Sequence, residues 1–140
     1  MGRRILAVVA GIVTAFVLVM LLEGAGHRYL ISSDVDVSTM EKAKAAYEAG
    51  LIPTIAILGV AVAYWIASFA GGFVAAKIAV DKHQTLAFII GTMMVAATLW
   101  NLLTIPHPIW FWFVGLLPQL PLALLGGKIG AGGSSGASGS

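Results

Sequence analysis

Residues 51–80 read LIPTIAILGVAVAYWIASFAGGFVAAKIAV and carry no charge before Lys77. A helix rises about 1.5 Å per residue, so about 20 apolar residues cross a hydrocarbon core about 30 Å thick. The stretch therefore reads as a membrane span. Three more of the same kind run Ile5–Leu22, Thr85–Ile105 and Ile109–Leu125, with the charged residues almost entirely between them. Four spans joined by short connections predict an all-α fold, an antiparallel four-transmembrane-helix bundle occupying residues 1–130 as one domain.

Composition agrees. The chain is 59% hydrophobic and 10% charged, against about 25% charged in a soluble domain. It has no cysteine, which excludes disulfides, thiol catalysis and cysteine-held clusters. A net charge of only +2 argues against nucleic acid as a partner, because the basic residues sit beside span ends, where they act as topology signals. Arg3, Arg4, Lys77, Lys82 and Lys128 share one side if both termini are cytoplasmic, as the positive-inside bias requires. Span one has the leading arginines of a secretory leader, but its apolar run exceeds the about 7–15 residues of one, so an uncleaved span is expected. Residues 131–140 are Gly/Ser-rich and read as an appended flexible linker.

Small residues recur every fourth position in span two: Gly59, Ala63, Ala67, Gly71, Ala75 and Ala79, with Ser68, Gly72 and Ala76 beside them. In lipid such ridges let helix backbones approach closely. The ridge winds around the helix, so it predicts contact with more than one neighbour, within the chain or in a homo-oligomer. Gly11, Ala15, Val19 and Glu23 repeat the pattern on span one and turn Glu23 toward other helices. Thr92, Ala96 and Ala97 are the corresponding candidates on span three. Pro118 and Pro121 predict a bent or broken span four.

Between spans one and two, Ser38 followed by Glu41 has capping-box spacing and Gly50 is a suitable stop. A short extracytoplasmic helix over Met40–Glu48 follows, with Met40, Ala43 and Tyr47 on one face, and Pro53 falls in the first turn of span two. Tyr29, Trp100, Trp110 and Trp112 map to the same outer boundary and form a candidate interfacial aromatic belt.

The same topology gathers the polar residues. Glu23 and His27 lie four apart on one face at the outer end of span one. Asn101 ends span three and His107 lies in the turn before span four, whereas His83 falls on the opposite side. Three chemistries fit Glu23, His27, Asn101 and His107: hydrogen bonds between helices, a proton or cation relay, or a divalent metal held by two imidazoles and a carboxylate. No metal-ligand spacing supports the last, and no cofactor motif or catalytic signature is present.

Glu23-Gly-Ala-Gly-His27-Arg-Tyr29, Ser68-Phe-Ala-Gly-Gly72 and Asn101-Leu-Leu-Thr-Ile-Pro-His-Pro-Ile-Trp-Phe-Trp112 resemble a group of small bacterial four-span membrane proteins. The resemblance covers residues 1 to about 130 and implies a bacterial inner-membrane setting, with no activity attached. Two functions are then expected: a non-enzymatic packing protein, as an oligomer or an accessory subunit of a membrane assembly, or a small transporter, permeation unit or lipid carrier centred on Glu23.

Overall fold

The computed structural model describes residues 2–31, 34–105 and 107–135. Every regular element among them is a helix: α1 (Gly2–Leu30), α2 (Met40–Glu48), α3 (Thr54–Ile78), α4 (His83–Thr104), α5 (Ile109–Leu116) and α6 (Gln119–Ser135). α1, α3, α4 and the α5–α6 pair are each long and apolar enough to cross a membrane. The helix of α6 runs to Ser135, and residues 136–140 of the Gly/Ser tail lie outside the described residues.

α3 is the centre of the bundle, with α1 and α6 packed closely on it and α4 bridging them. The small ridge makes this possible. Gly71 meets Gly11 of α1, where an added Cβ would sit 2.9 Å from the Gly11 carbonyl oxygen. One residue on, Gly72 presses on the backbone of Ala123 in α6. The ridge thus serves two neighbours within one chain, and Ala67, Ala75 and Ala76 are fully buried. Further out, Gly59 is half-buried and with Ala63 lines an apolar groove between α1 and α3.

The small surface of α4 differs from expectation. Thr92 and Ala96 are exposed, while Ala87 and Gly91 are buried against Gly127, Leu120 and Ala123 of α6. Lipid is as apolar as the bundle interior, so composition alone does not decide which of two small stripes faces inward. Volume does: Gly91 and Ala87 lie where α6 comes closest.

At the inner end, Arg4 holds Asp81 through two bonds, Nε to Oδ1 at 2.9 Å and Nη2 to Oδ2 at 2.6 Å. Arg3 Nε donates to the Ile78 carbonyl at 2.6 Å. The arginines that signal topology therefore also tie α1 to the tight α3–α4 turn, and the Arg4 guanidinium holds the Asp81 carboxyl below its usual range. Within that turn Lys82 adopts a left-handed conformation, φ 58°.

The outer helix α2 forms as expected, but its cap shifts by one residue. Thr39 Oγ1 accepts from the Lys42 N–H at 3.1 Å, while Ser38 is occupied by Asp36, with Oγ to Oδ1 at 2.6 Å. The helix ends in a Schellman motif: Gly50, φ 71°, donates to the Tyr47 carbonyl and Leu51 to that of Ala46. Pro53 lies one position earlier than expected, at the N-cap of α3, where its carbonyl accepts from Ala56 and Ile57.

Span four is interrupted at Leu117 and Pro118, between α5 and α6. Pro118 has no N–H, so the Val114 carbonyl loses its helical partner. The indole of Trp65 in α3 replaces it, Nε1 donating to Val114 O at 2.9 Å. The adjacent Gly115 carbonyl accepts from the Gln119 side chain at 2.6 Å.

Candidate functional site

The last turns of α1 carry Glu23 and His27, the end of α4 carries Asn101, and the α4–α5 connection carries His107. All four line one cavity of about 230 Å³, roofed by Met40, Ala43 and Tyr47 of α2. At about 30 Å³ per water, that is room for about seven waters. The cavity walls are mixed: Val37, Val60 and Ile105 are apolar, and no Lys or Arg lines it.

Glu23 sits against the Tyr64 hydroxyl of α3. Asn101 Nδ2 donates to the same hydroxyl at 2.6 Å, so the phenol O–H is directed at the carboxylate. Asn101 Oδ1 is buried and finds no hydrogen-bond partner among the described residues. An unpaired buried acceptor costs about 1–3 kcal/mol.

His107 is fixed by three contacts. Its Nδ1 lies 2.8 Å from the Ile105 carbonyl; a carbonyl only accepts, so Nδ1 carries the proton and Nε2 of the neutral ring is an acceptor. The ring stacks on Phe111 at 4.8 Å and meets Tyr47 at 4.8 Å on the other side. Burial pulls the imidazole below its usual range, opposed by the bond to Ile105. Burial, with the Glu23 charge added, pushes the Tyr47 phenol up to about 12, so it remains a neutral donor.

Glu23 and Asn101 also line a second cavity of about 160 Å³ on the membrane side of the first, together with Tyr64 and Thr98. Beyond it, Thr98 Oγ1 accepts from Gln119 Nε2 at 2.7 Å, and Ser68 Oγ donates to Gln119 Oε1 at 3.4 Å. Gln119 and Ser68 are fully buried. Polar groups thus run from the outer boundary to the interruption of span four, with Glu23, Tyr64 and Asn101 between the two cavities.

Sequence reasoning located Glu23, His27, Asn101 and His107 and missed Tyr64, Thr98, Ser68 and Gln119 as their neighbours. Each of these is a single polar residue in an apolar run, and only helix register assigns its partner. Of the aromatic residues at the outer end, Tyr29 and Trp100 are exposed where lipid would lie, whereas Trp110 and Trp112 are half-buried against the core. Among the described residues no three imidazole or carboxylate groups are placed to hold one metal ion. His83 is apart from the cluster, its Nδ1 capping the end of α3 at the Ala76 carbonyl, 2.9 Å away. Comparison of the chain with family models, with curated proteins and with solved structures gives no match.

Proposed function

We propose that this membrane protein is a small transporter or permeation unit whose ligand enters the outer cavity and meets Glu23. The observation that carries this reading is the cavity itself, which reaches a carboxylate placed within a membrane helix. Acidic groups within spans are costly and mark ion or substrate paths. The second cavity beyond Glu23 extends the polar route inward. The packing-protein reading has less support, because the ridge at Gly71 and Gly72 that motivated it is occupied by α1 and α6 of the same chain.

The test is flux in proteoliposomes, using protons, methylammonium and choline as probes. Wild type is expected to pass at least one of them about 10- to 100-fold faster than Glu23→Gln, the range for losing hydrogen bonds to a charged group. Equal rates for wild type, Glu23→Gln and empty vesicles on all three probes would overturn the reading.

We place the protein in a bacterial inner membrane, on the resemblance of its sequence segments, with both termini cytoplasmic, on its flanking charges. The chain has no cysteine of its own, so single introduced thiols report side directly. Lys44→Cys is expected to react with an impermeant maleimide added to intact cells and Lys128→Cys only after lysis. The reverse pattern inverts the topology.

A further inference from the structure

Among the described residues the outer cavity is lined by one carboxyl, several other polar groups and an apolar wall. Glu23 supplies its carboxyl, beside the imidazoles of His27 and His107, the Asn101 amide and the Tyr47 hydroxyl. No Lys or Arg lines the cavity, and among the described residues the ion pairs are Arg4–Asp81 and Lys42–Asp36, both elsewhere. A carboxylate taken out of water needs a counter-charge or a proton. With no Lys or Arg in the lining among the described residues, Glu23 either holds a proton or, when ionised, takes its counter-charge from what binds.

The rest of the lining says what kind of cation. Met40, Val60 and Ile105 offer an apolar wall, and the Tyr47 ring offers an aromatic face. A bare inorganic ion would leave that wall unused, and no three-ligand metal set exists among the described residues. An anion would face Glu23. The volume of about 230 Å³ admits a ligand of a few carbons, below the about 300–1,000 Å³ of drug-sized sites.

We propose that the outer cavity binds a small protonated alkylamine, its ammonium group reaching the Glu23 carboxylate and its alkyl part lying against Met40, Val60 and Ile105. An ammonium donates up to three hydrogen bonds from one charged centre. That suits the two oxygens of the Glu23 carboxylate, and the Tyr47 ring in the same lining offers a face for cation–π attraction. The inference rests on the ligand-cavity reading above and narrows it to one chemical class.

The test is equilibrium binding to the full chain purified in detergent, by calorimetry or ligand-observed NMR. n-Butylammonium is compared with n-butanol and butyrate, which share its chain and differ in charge. n-Butylammonium is expected to bind about tenfold or more tighter than either, a difference set by hydrogen bonds to a charged group. Glu23→Gln should weaken it about 10- to 100-fold, with butanol binding unchanged. Because the three probes are ranked on wild type, that comparison does not require a variant to fold. Butanol or butyrate binding as tightly as n-butylammonium overturns the proposal, as does n-butylammonium affinity that a folded Glu23→Gln retains. If n-butylammonium fails to bind while Glu23-dependent proton flux persists, the alkylamine assignment falls and the transporter reading stands; if both fail, both fall.

Discussion

Gly72→Ala is expected to destabilise the bundle by about 3 kcal/mol or more, the upper range for overpacking an interior. A Cβ at Gly72 would overlap the carbonyl oxygen of Ala123, and one at Gly126 would overlap that of Phe69. In both places the obstacle is backbone, which has no rotamer to change, so relief requires α3 and α6 to separate. That separation loosens the rest of their shared face, including the Ser68–Gln119 contact. Gly126→Ala should therefore match Gly72→Ala. The control is Gly24→Ala on α1, where nothing lies within 4 Å of the added methyl; its effect should stay within about 1 kcal/mol, the propensity difference between Gly and Ala. Unfolding in mixed micelles titrated with SDS, followed by helical circular dichroism, measures all three. An unchanged midpoint for Gly72→Ala would mean that the helices do not pack backbone to backbone.

The result also bears on self-association. Gly11 and Gly71 meet across α1 and α3, and Gly72 and Gly126 join α3 to α6, so bulky residues at these positions act on the monomer before they act on any oligomer. A loss of association in such variants carries no information about a second copy unless folding is measured beside it.

What could be read from residues alone was what lipid imposes. The length and hydropathy of 51–80 and its three counterparts specify spans, because a backbone in hydrocarbon has to bond to itself. Alternation of those spans brings Glu23, His27, Asn101 and His107 to one boundary with no knowledge of packing. Pro118 implies a break within the apolar run, whereas Pro121 falls in the first turn of α6, where its missing N–H costs least. Rotation about each axis was harder to read. In water a polar face points outward and sets rotation; here both faces of α4 are apolar, and the small stripe at Ala87 and Gly91 could not be told from that at Thr92 and Ala96. Tyr64 and Gln119 were hidden for the same reason, since their partners depend on register between helices remote in sequence. The cap of α2 moved from Ser38 to Thr39 because Asp36 engages Ser38 first, a local competition between neighbouring side chains.

The break in span four supplies a prediction that separates a chance contact from a structural one. Pro118 removes the N–H that Val114 O would accept, and Trp65 Nε1 fills the place at 2.9 Å. Trp65→Phe keeps an aromatic ring and removes the donor, leaving a part-buried carbonyl unsatisfied within an apolar span; the expected cost is about 1–3 kcal/mol. Pro118→Ala restores an N–H four residues after Val114, so the carbonyl regains a helical partner. In that background Trp65→Phe should cost less, by about 1 kcal/mol or more, because the indole is no longer the sole donor. The four proteins form a double-mutant cycle measurable by the same SDS titration. Strict additivity would show that the indole N–H does not satisfy the proline's orphan. A coupling of the stated sign would place Trp65 as the residue that lets span four bend, and the bend is what brings Gln119 Nε2 to Gly115 O at 2.6 Å and to Thr98 Oγ1 at 2.7 Å. The polar route inward from Glu23 would then depend on a proline and a tryptophan that never touch the cavity.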